Sequence, residues 1–348
     1  MNVVKKSDGQ KASAPAARQC IVVLGVHRSG TSALTRVLNL LGAALPKHVM
    51  DARPSNEKGH WEPERLVNLH DELLAEAGTR WDDINGFPAT FDRERLAHYK
   101  AEIIRILAEE YGDAARFVVK DPRMCRFMPL WREVLEQIGV QAHFVIPLRN
   151  PLEVAGSLEK RNGFSLAHGC LLWLRNLLDA EFGTRGMRRS FVHYHDLLND
   201  PIRLVKDLAS SLGEDWPPLK EEAEREIKSF IELAQCHHFA KLDELRYPVA
   251  AYQLLREAYE ACAALVYHPT DEKAQRRLDG VRTLFEPAVA SFAMFLPVHE
   301  EALSERDEKI AALEQRLAAH EARLREQDER IAALNEMLAV RADDAPAL

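Results

Sequence analysis

The sequence predicts an α/β fold: a P-loop-like parallel sheet flanked by helices, with a helical extension and a C-terminal coiled-coil helix. Three observations predict it. Short β-branched runs alternate with stretches of helical periodicity. A glycine-bearing loop, residues 25–32, joins the first such run to the first helix. After residue 303 a seven-residue apolar repeat takes over.

Residues 20–25 read C-I-V-V-L-G, short and apolar throughout, as a buried parallel strand requires. From Thr31, apolar residues at Leu34, Val37, Leu38 and Leu41 keep helical spacing. Residues 116–120 (R-F-V-V-K) form a second strand, followed by Asp121-Pro122-Arg123 and a helix over about 130–138. Residues 142–148 (A-H-F-V-I-P-L) form a third, ending at Arg149-Asn150-Pro151. A helix is expected from Pro151, because proline suits a first helical turn. Residues 190–194 (S-F-V-H-Y) form a fourth strand, with a helix over 202–212; Arg188-Arg189 reads as a solvated turn. Every predicted strand ends in polar residues: His27-Arg28-Ser29, Lys120-Asp121, Arg149-Asn150 and His195-Asp196. Ligands of parallel sheets bind beyond the carboxyl ends of the strands, so one shared site is expected.

The domain organisation follows: a flexible tail over 1–18, an α/β domain over 19–240, a helical extension over 241–298 and a coiled coil over 300–340. In the coil, Leu303, Ile310, Leu317, Leu324, Ile331 and Leu338 take a positions, and Leu313, His320, Gln327 and Leu334 take d positions. Such a seam predicts self-association.

Composition narrows the function. With 47% hydrophobic residues and a net charge of −8, the chain has a sizeable core and no global basic field, which argues against nucleic-acid binding. Its five cysteines (Cys20, Cys125, Cys170, Cys236, Cys262) are scattered, without a C-x-x-C pair. That is neither a disulfide framework nor a zinc pattern, and a reducing cytoplasm is expected. No apolar run reaches the ~18 residues of a membrane span, and the first residues lack the apolar core of a signal peptide.

The loop G-V-H-R-S-G-T-S is built for an anion. A helix N-terminus offers unpaired N–H groups and a positive dipole end. Gly25 and Gly30 permit close approach; Ser29, Thr31 and Ser32 add hydroxyls; Arg28 adds a permanent charge. The spacing of Gly25, Gly30 and Ser32 matches an NTPase P-loop, but Thr31 stands where its lysine belongs. Asp121, followed directly by Pro122-Arg123, makes a poor magnesium aspartate. A nucleotide-dependent kinase is therefore the second reading, and a non-catalytic coiled-coil scaffold the third.

On these residues the chain resembles the sulfotransferases that use 3′-phosphoadenosine 5′-phosphosulfate (PAPS), bacterial and carbohydrate-type members in particular. Arg28-Ser29-Gly30-Thr31-Ser32 is similar to their 5′-phosphosulfate loop, with arginine where many members have lysine. Arg149-Asn150-Pro151, with Ser157 eight residues after the arginine, is similar to their 3′-phosphate element. Lys120-Asp121-Pro122-Arg123 and Tyr194-His195-Asp196-Leu197 with Asp200-Pro201 resemble two further segments. Residues 56–62 (N-E-K-G-H-W-E) resemble a segment whose glutamate serves as base.

The resemblance implies in-line sulfuryl transfer to a hydroxyl or amine of a carbohydrate or other metabolite, without a metal. It assigns Arg28, Ser29, Gly30, Thr31, Ser32, Arg149, Ser157 and Tyr194 to the donor, the last near its adenine. Glu62 becomes the base, with His60 the alternative; Arg28 serves the leaving group, and Lys120 assists. Trp61 and Trp81 are candidates to stack on a sugar ring.

Overall fold

The computed structural model describes residues 18–50, 59–213, 216, 218–232 and 249–292, and positions 309, 312–313, 315–320, 323–325 and 327. The chain forms two compact units, Met1–Pro287 and Ala288–Leu348.

The first unit is built on a wholly parallel sheet of β1 (Gln19–Val23), β2 (Arg116–Lys120), β3 (Gln141–Leu148) and β4 (Arg189–His193), in the order β2-β1-β3-β4. In β1 the residues from Cys20 to Val23 are at most 1% exposed. Helices cover both faces of the strand, so it is apolar throughout rather than alternating. Ile21 and Val23 pack with Leu34, Val37 and Leu38 of α1 (Thr31–Leu40). Burial of each such side chain contributes roughly 1.5–3 kcal/mol.

The strand order creates the switch point. The chain leaves β1 toward β2 on one side and then crosses to β3 on the other, so the β1 and β3 loops open side by side. β1 last pairs with β3 at Val23–Val145, whereas β3 runs on to Leu148 beside β4 alone. Pro147 therefore sits where the β1 side no longer needs a ladder N–H, which is where a strand tolerates proline.

All four predicted strands are present, with shifted ends. β4 stops at His193, and Tyr194 opens α7 (Tyr194–Asn199) instead of closing the strand. The Arg188-Arg189 expectation is corrected at its second residue. Arg189 lies within β4, buried, and its Nη2 pairs with Glu181 at 3.1 Å. α2 (Glu64–Glu76) precedes two further elements, α3 (Arg93–Tyr111) and the 3-10 turn Pro122–Phe127. α4 (Met128–Gln137) follows at the place expected for the second helix. α5 (Pro151–Asn162) follows β3 as expected, and α6 (Leu166–Gly183) packs against it. α8 (Pro201–Leu212) and α9 (Glu221–Glu232) close the α1 face.

α10 (Val249–Tyr267) packs on β4 and α6. α11 (Glu272–Phe292) is tied to α6 by Glu286, which accepts both terminal nitrogens of Arg175 at 2.7 Å. In the second unit the described positions between 309 and 327 are helical, and Leu313, Leu317 and Leu324 are exposed. The expected a and d residues Leu303, Ile310, Ile331, Leu334 and Leu338 lie outside the described residues, as do positions 1–17 of the expected tail. No helix among the described residues is long and apolar enough to cross a membrane.

Candidate active site at the switch point

The loop between β1 and α1 turns on residues with positive φ: Gly25 at 151°, Arg28 at 71° and Gly30 at 97°. Gly30 has two reasons to be glycine. Its backbone is left-handed, and a Cβ there would lie 2.3 Å from Cδ2 of Tyr194. The Ser29 hydroxyl is spent inside the loop, donating to the Val26 carbonyl at 2.7 Å. Gly30 is also the N-cap of α1 and gives it no side-chain cap, so the first-turn N–H groups remain available for an anion.

Arg28 joins this loop to the β3 loop. Its Nε donates to Ser157 Oγ at 2.8 Å, and its carbonyl accepts from Arg149 Nη1 at 2.9 Å. Ser157 reaches it because α5 starts firmly at Pro151, with the Asn150 side chain accepting from Leu152 N at 2.9 Å. The two residues expected to share a phosphate, Arg149 and Ser157, are thus both bonded to Arg28.

Arg149 is itself held from three sides. Its Nε donates to Glu153 at 3.0 Å, its guanidinium carbon lies 4.4 Å from the Tyr194 ring centroid, and Trp173 Nε1 donates to its carbonyl at 3.1 Å. Glu153 is buried and also meets His195 Nε2 at 3.0 Å. The Tyr194 ring is only 6% exposed, packed against Gly30 and Arg149.

A second buried cluster adjoins α1. Lys120, at the end of β2, donates to a Glu62 carboxylate oxygen and to the His60 carbonyl at 2.9 Å. Lys120 and Glu62 are 1% and 2% exposed. Ser32 Oγ donates to the same His60 carbonyl at 3.4 Å, which links this cluster to the loop. Burial pushes the Glu62 carboxyl above its ordinary range, and the Lys120 ammonium opposes that rise. Trp61, just before Glu62, has φ 57°. Among the described residues the non-glycine positions with positive φ are Arg28 and Trp61, so backbone strain gathers at this site. Of the resembling segment, positions 56–58 lie outside the described residues.

Asp121 turns the other way. It is fully buried, accepting from the Arg123 N–H and Nη1, both at 3.0 Å, and from His70 Nδ1 at 2.7 Å. Trp131 Nε1 donates to His70 Nε2 at 3.3 Å, which fixes the proton on Nδ1. Burial alone would raise this carboxyl, but Arg123 and His70 outweigh burial and hold it below its ordinary range. Asp121 therefore anchors the 3-10 turn, as the Pro122-Arg123 context suggested.

His27, from the loop, stands edge-on to Trp81 at 4.5 Å between ring centroids, and Trp81 is 5.8 Å from Phe164. Burial and the charges of Arg123, Arg161 and Lys120 push His27 well below its ordinary range, which keeps it neutral. Of the predicted strand-end residues, His27, Arg28, Ser29, Lys120, Arg149 and His195 line this region. Asn150 serves as a helix cap, and Asp196 is exposed. Sequence reasoning missed Glu153, Trp173 and Arg161. For Glu153 a signal existed, since it stands four residues after Arg149.

A model of the sulfotransferase family matches residues 20–218. The chain belongs to the sulfotransferase family. The sulfotransferase match takes in both phosphate-loop candidates, the Glu62–Lys120 pair and Tyr194. No curated protein matches the chain. Among solved structures it is similar to a sulfotransferase domain from the Synechococcus PCC 7002 olefin synthase, with 15% identity and a TM-score of 0.41 over 73% of this chain and 98% of that one. It is also similar to a sulfotransferase domain from the curacin biosynthetic pathway, with 15% identity and a TM-score of 0.39 over 70% of this chain and 98% of that one.

Proposed function

We propose that this sulfotransferase moves a sulfuryl group from PAPS to a hydroxyl of a metabolite or carbohydrate acceptor, by in-line transfer. One observation carries the reading: Arg28 is bonded to both Ser157 and Arg149, which joins the β1 loop to α5 and supports their reading as one cradle for a nucleotide phosphorylated at 5′ and 3′. The uncapped N–H groups of α1 and the hydroxyls of Thr31 and Ser32 receive the 5′ group. Arg149 and Ser157 receive the 3′-phosphate, with Glu153 aiming the guanidinium. Tyr194, tucked beneath Gly30, supports the loop and is a poorer platform for adenine than the sequence suggested.

The donor supplies an activated sulfur. A bond forms between that sulfur and the acceptor oxygen, and the bond to the bridging phosphate oxygen breaks. Arg28 stabilises charge on the departing phosphate and cannot give up a proton. Glu62 accepts the acceptor's proton. Lys120, bonded to Glu62 and to the His60 carbonyl, keeps the carboxylate ionised and oriented, and for this reason Glu62 is preferred to His60 as base. We also propose that the heptad segment after residue 303 associates with a second copy of the chain.

The test is transfer of radiolabelled sulfate from PAPS to a panel of hydroxylated metabolites, sugars and phenols, without magnesium. Glu62→Gln should lower kcat roughly 10²–10⁴-fold, with 3′,5′-adenosine bisphosphate still bound as tightly as by wild type. Equal turnover by wild type and Glu62→Gln would remove Glu62 from the mechanism.

A further inference from the structure

Arg161 has no part in the proposed donor site, yet it shares α5 with Ser157. It sits in the last turn of α5, one turn beyond Ser157. Its guanidinium carbon is 5.5 Å from the Trp81 ring centroid, and its Nε donates to the Asn162 side-chain oxygen at 2.6 Å. The other cations of this region have anionic partners. Lys120 pairs with Glu62; Arg123 pairs with Asp71 and Asp121; Arg149 pairs with Glu153. Arg28 faces the proposed phosphosulfate. Among the described residues Arg161 enters no ion pair, and its surroundings push its proton affinity down to about 10, through burial first and then the charge of Arg28, against the pull of Glu62.

An aromatic wall leads to it. His27, Trp81, Phe164 and His168 succeed one another with ring centroids 4.5, 5.8 and 4.7 Å apart, and all are half-buried. His168 is fixed by a 2.8 Å contact with the Asp82 carbonyl. The wall begins at the phosphate loop and passes beneath Arg161. The Glu62 carboxylate lies close enough to Arg161 for its charge to act on the guanidinium.

Resting on the sulfotransfer reading above, we propose that the acceptor is an acid, a hydroxylated carboxylate or phosphate ester, whose anionic group is received by Arg161 against the face of Trp81. Arg161 is then a specificity residue, not a donor-binding one. An anion there relieves the repulsion among Arg28, Arg123 and Arg161. A forked guanidinium suits either a carboxylate or a phosphate.

The experiment uses the full chain, labelled PAPS and hydroxylated aliphatic and aromatic compounds, each as carboxylate, phosphate ester and neutral methyl ester. Wild type should favour one anionic form over its methyl ester by roughly 10- to 100-fold in kcat/KM, the range of a charge-assisted hydrogen bond. The better anionic arm identifies the headgroup. Arg161→Gln should erase that preference, Arg161→Lys should restore part of it, and both should bind 3′,5′-adenosine bisphosphate as wild type does. Transfer confined to neutral compounds, or to none while the bisphosphate still binds, contradicts the proposal. So does an Arg161→Gln protein that loses bisphosphate binding, because the arginine would then serve the donor. Failure of wild type to bind the bisphosphate sinks the sulfotransfer reading instead.

Discussion

Gly30 shows how closely a single residue is constrained at this site. Its φ of 97° and the 2.3 Å that would separate a Cβ from the Tyr194 ring exclude any side chain without movement of the tyrosine or the loop. Gly30→Ala should lower thermal stability by about 1–3 kcal/mol, the scale of local strain, and weaken binding of 3′,5′-adenosine bisphosphate; calorimetry reads both. Tyr194→Ala removes the clash, so the double variant should recover part of the loss. Glu62 makes a prediction in pH. Burial holds its carboxyl above the ordinary 4.5, so the ionised form that the proposed base requires is lost as pH falls through that raised value. The acid limb of kcat/KM should therefore lie above pH 4.5 and move lower if the repulsive charge of Asp121 nearby is removed. The positions of Arg28, Arg149 and Ser157 were legible in the sequence as two spaced motifs. Their meeting through Arg28 was not, because it depends on a left-handed Arg28 that no local pattern announces.

Among the elements, the strands were the most legible. A short strand buried on both faces is apolar through its middle, and β1, β2 and β3 carry that composition in C-I-V-V, F-V-V and F-V-I-P-L. α6 was not foreseen. It buries Cys170, Leu172, Trp173, Leu174, Leu177 and Leu178 together with Arg175, Asn176 and Glu181, so its buried side is not marked by an apolar stripe. α3 is signalled by Asp92, whose side chain accepts from Arg95 N at 2.8 Å, but its charged first turns hide the apolar face. β3 and β4 carry a pH-dependent link. His143 meets Ser190 at 2.8 Å, and burial lowers its proton affinity from the ordinary 6.5 to about 4. The unfolded chain takes up this proton near 6.5 and the folded chain does not, so folding stability should fall as pH drops from about 6.5 toward about 4. Denaturation across that range should show the decline, and His143→Gln should flatten it.

At the scale of the molecule, the exposed Leu313, Leu317 and Leu324 fall on the a and d positions of the heptad seam. The full chain should sediment as an oligomer, and a chain ending at residue 302 as a monomer that still binds nucleotide. Equal sedimentation of the two would remove self-association from the account. The repeat was plain in the sequence because a seven-residue period is a local pattern. The proposed acceptor site was not, since Arg161, Trp81 and Phe164 come together only in the folded chain.

The proposed donor carries phosphates at both its 5′ and 3′ positions. Calorimetric titration of the full chain with 3′,5′-adenosine bisphosphate and with 5′-adenosine monophosphate, both without magnesium, tests it most directly. The bisphosphate should bind at least roughly 10-fold tighter, the worth of one charge-assisted hydrogen bond, and Arg149→Ala or Ser157→Ala should narrow that gap. Equal affinity for the two nucleotides, or binding of ATP with magnesium and of neither adenosine phosphate alone, would contradict the account.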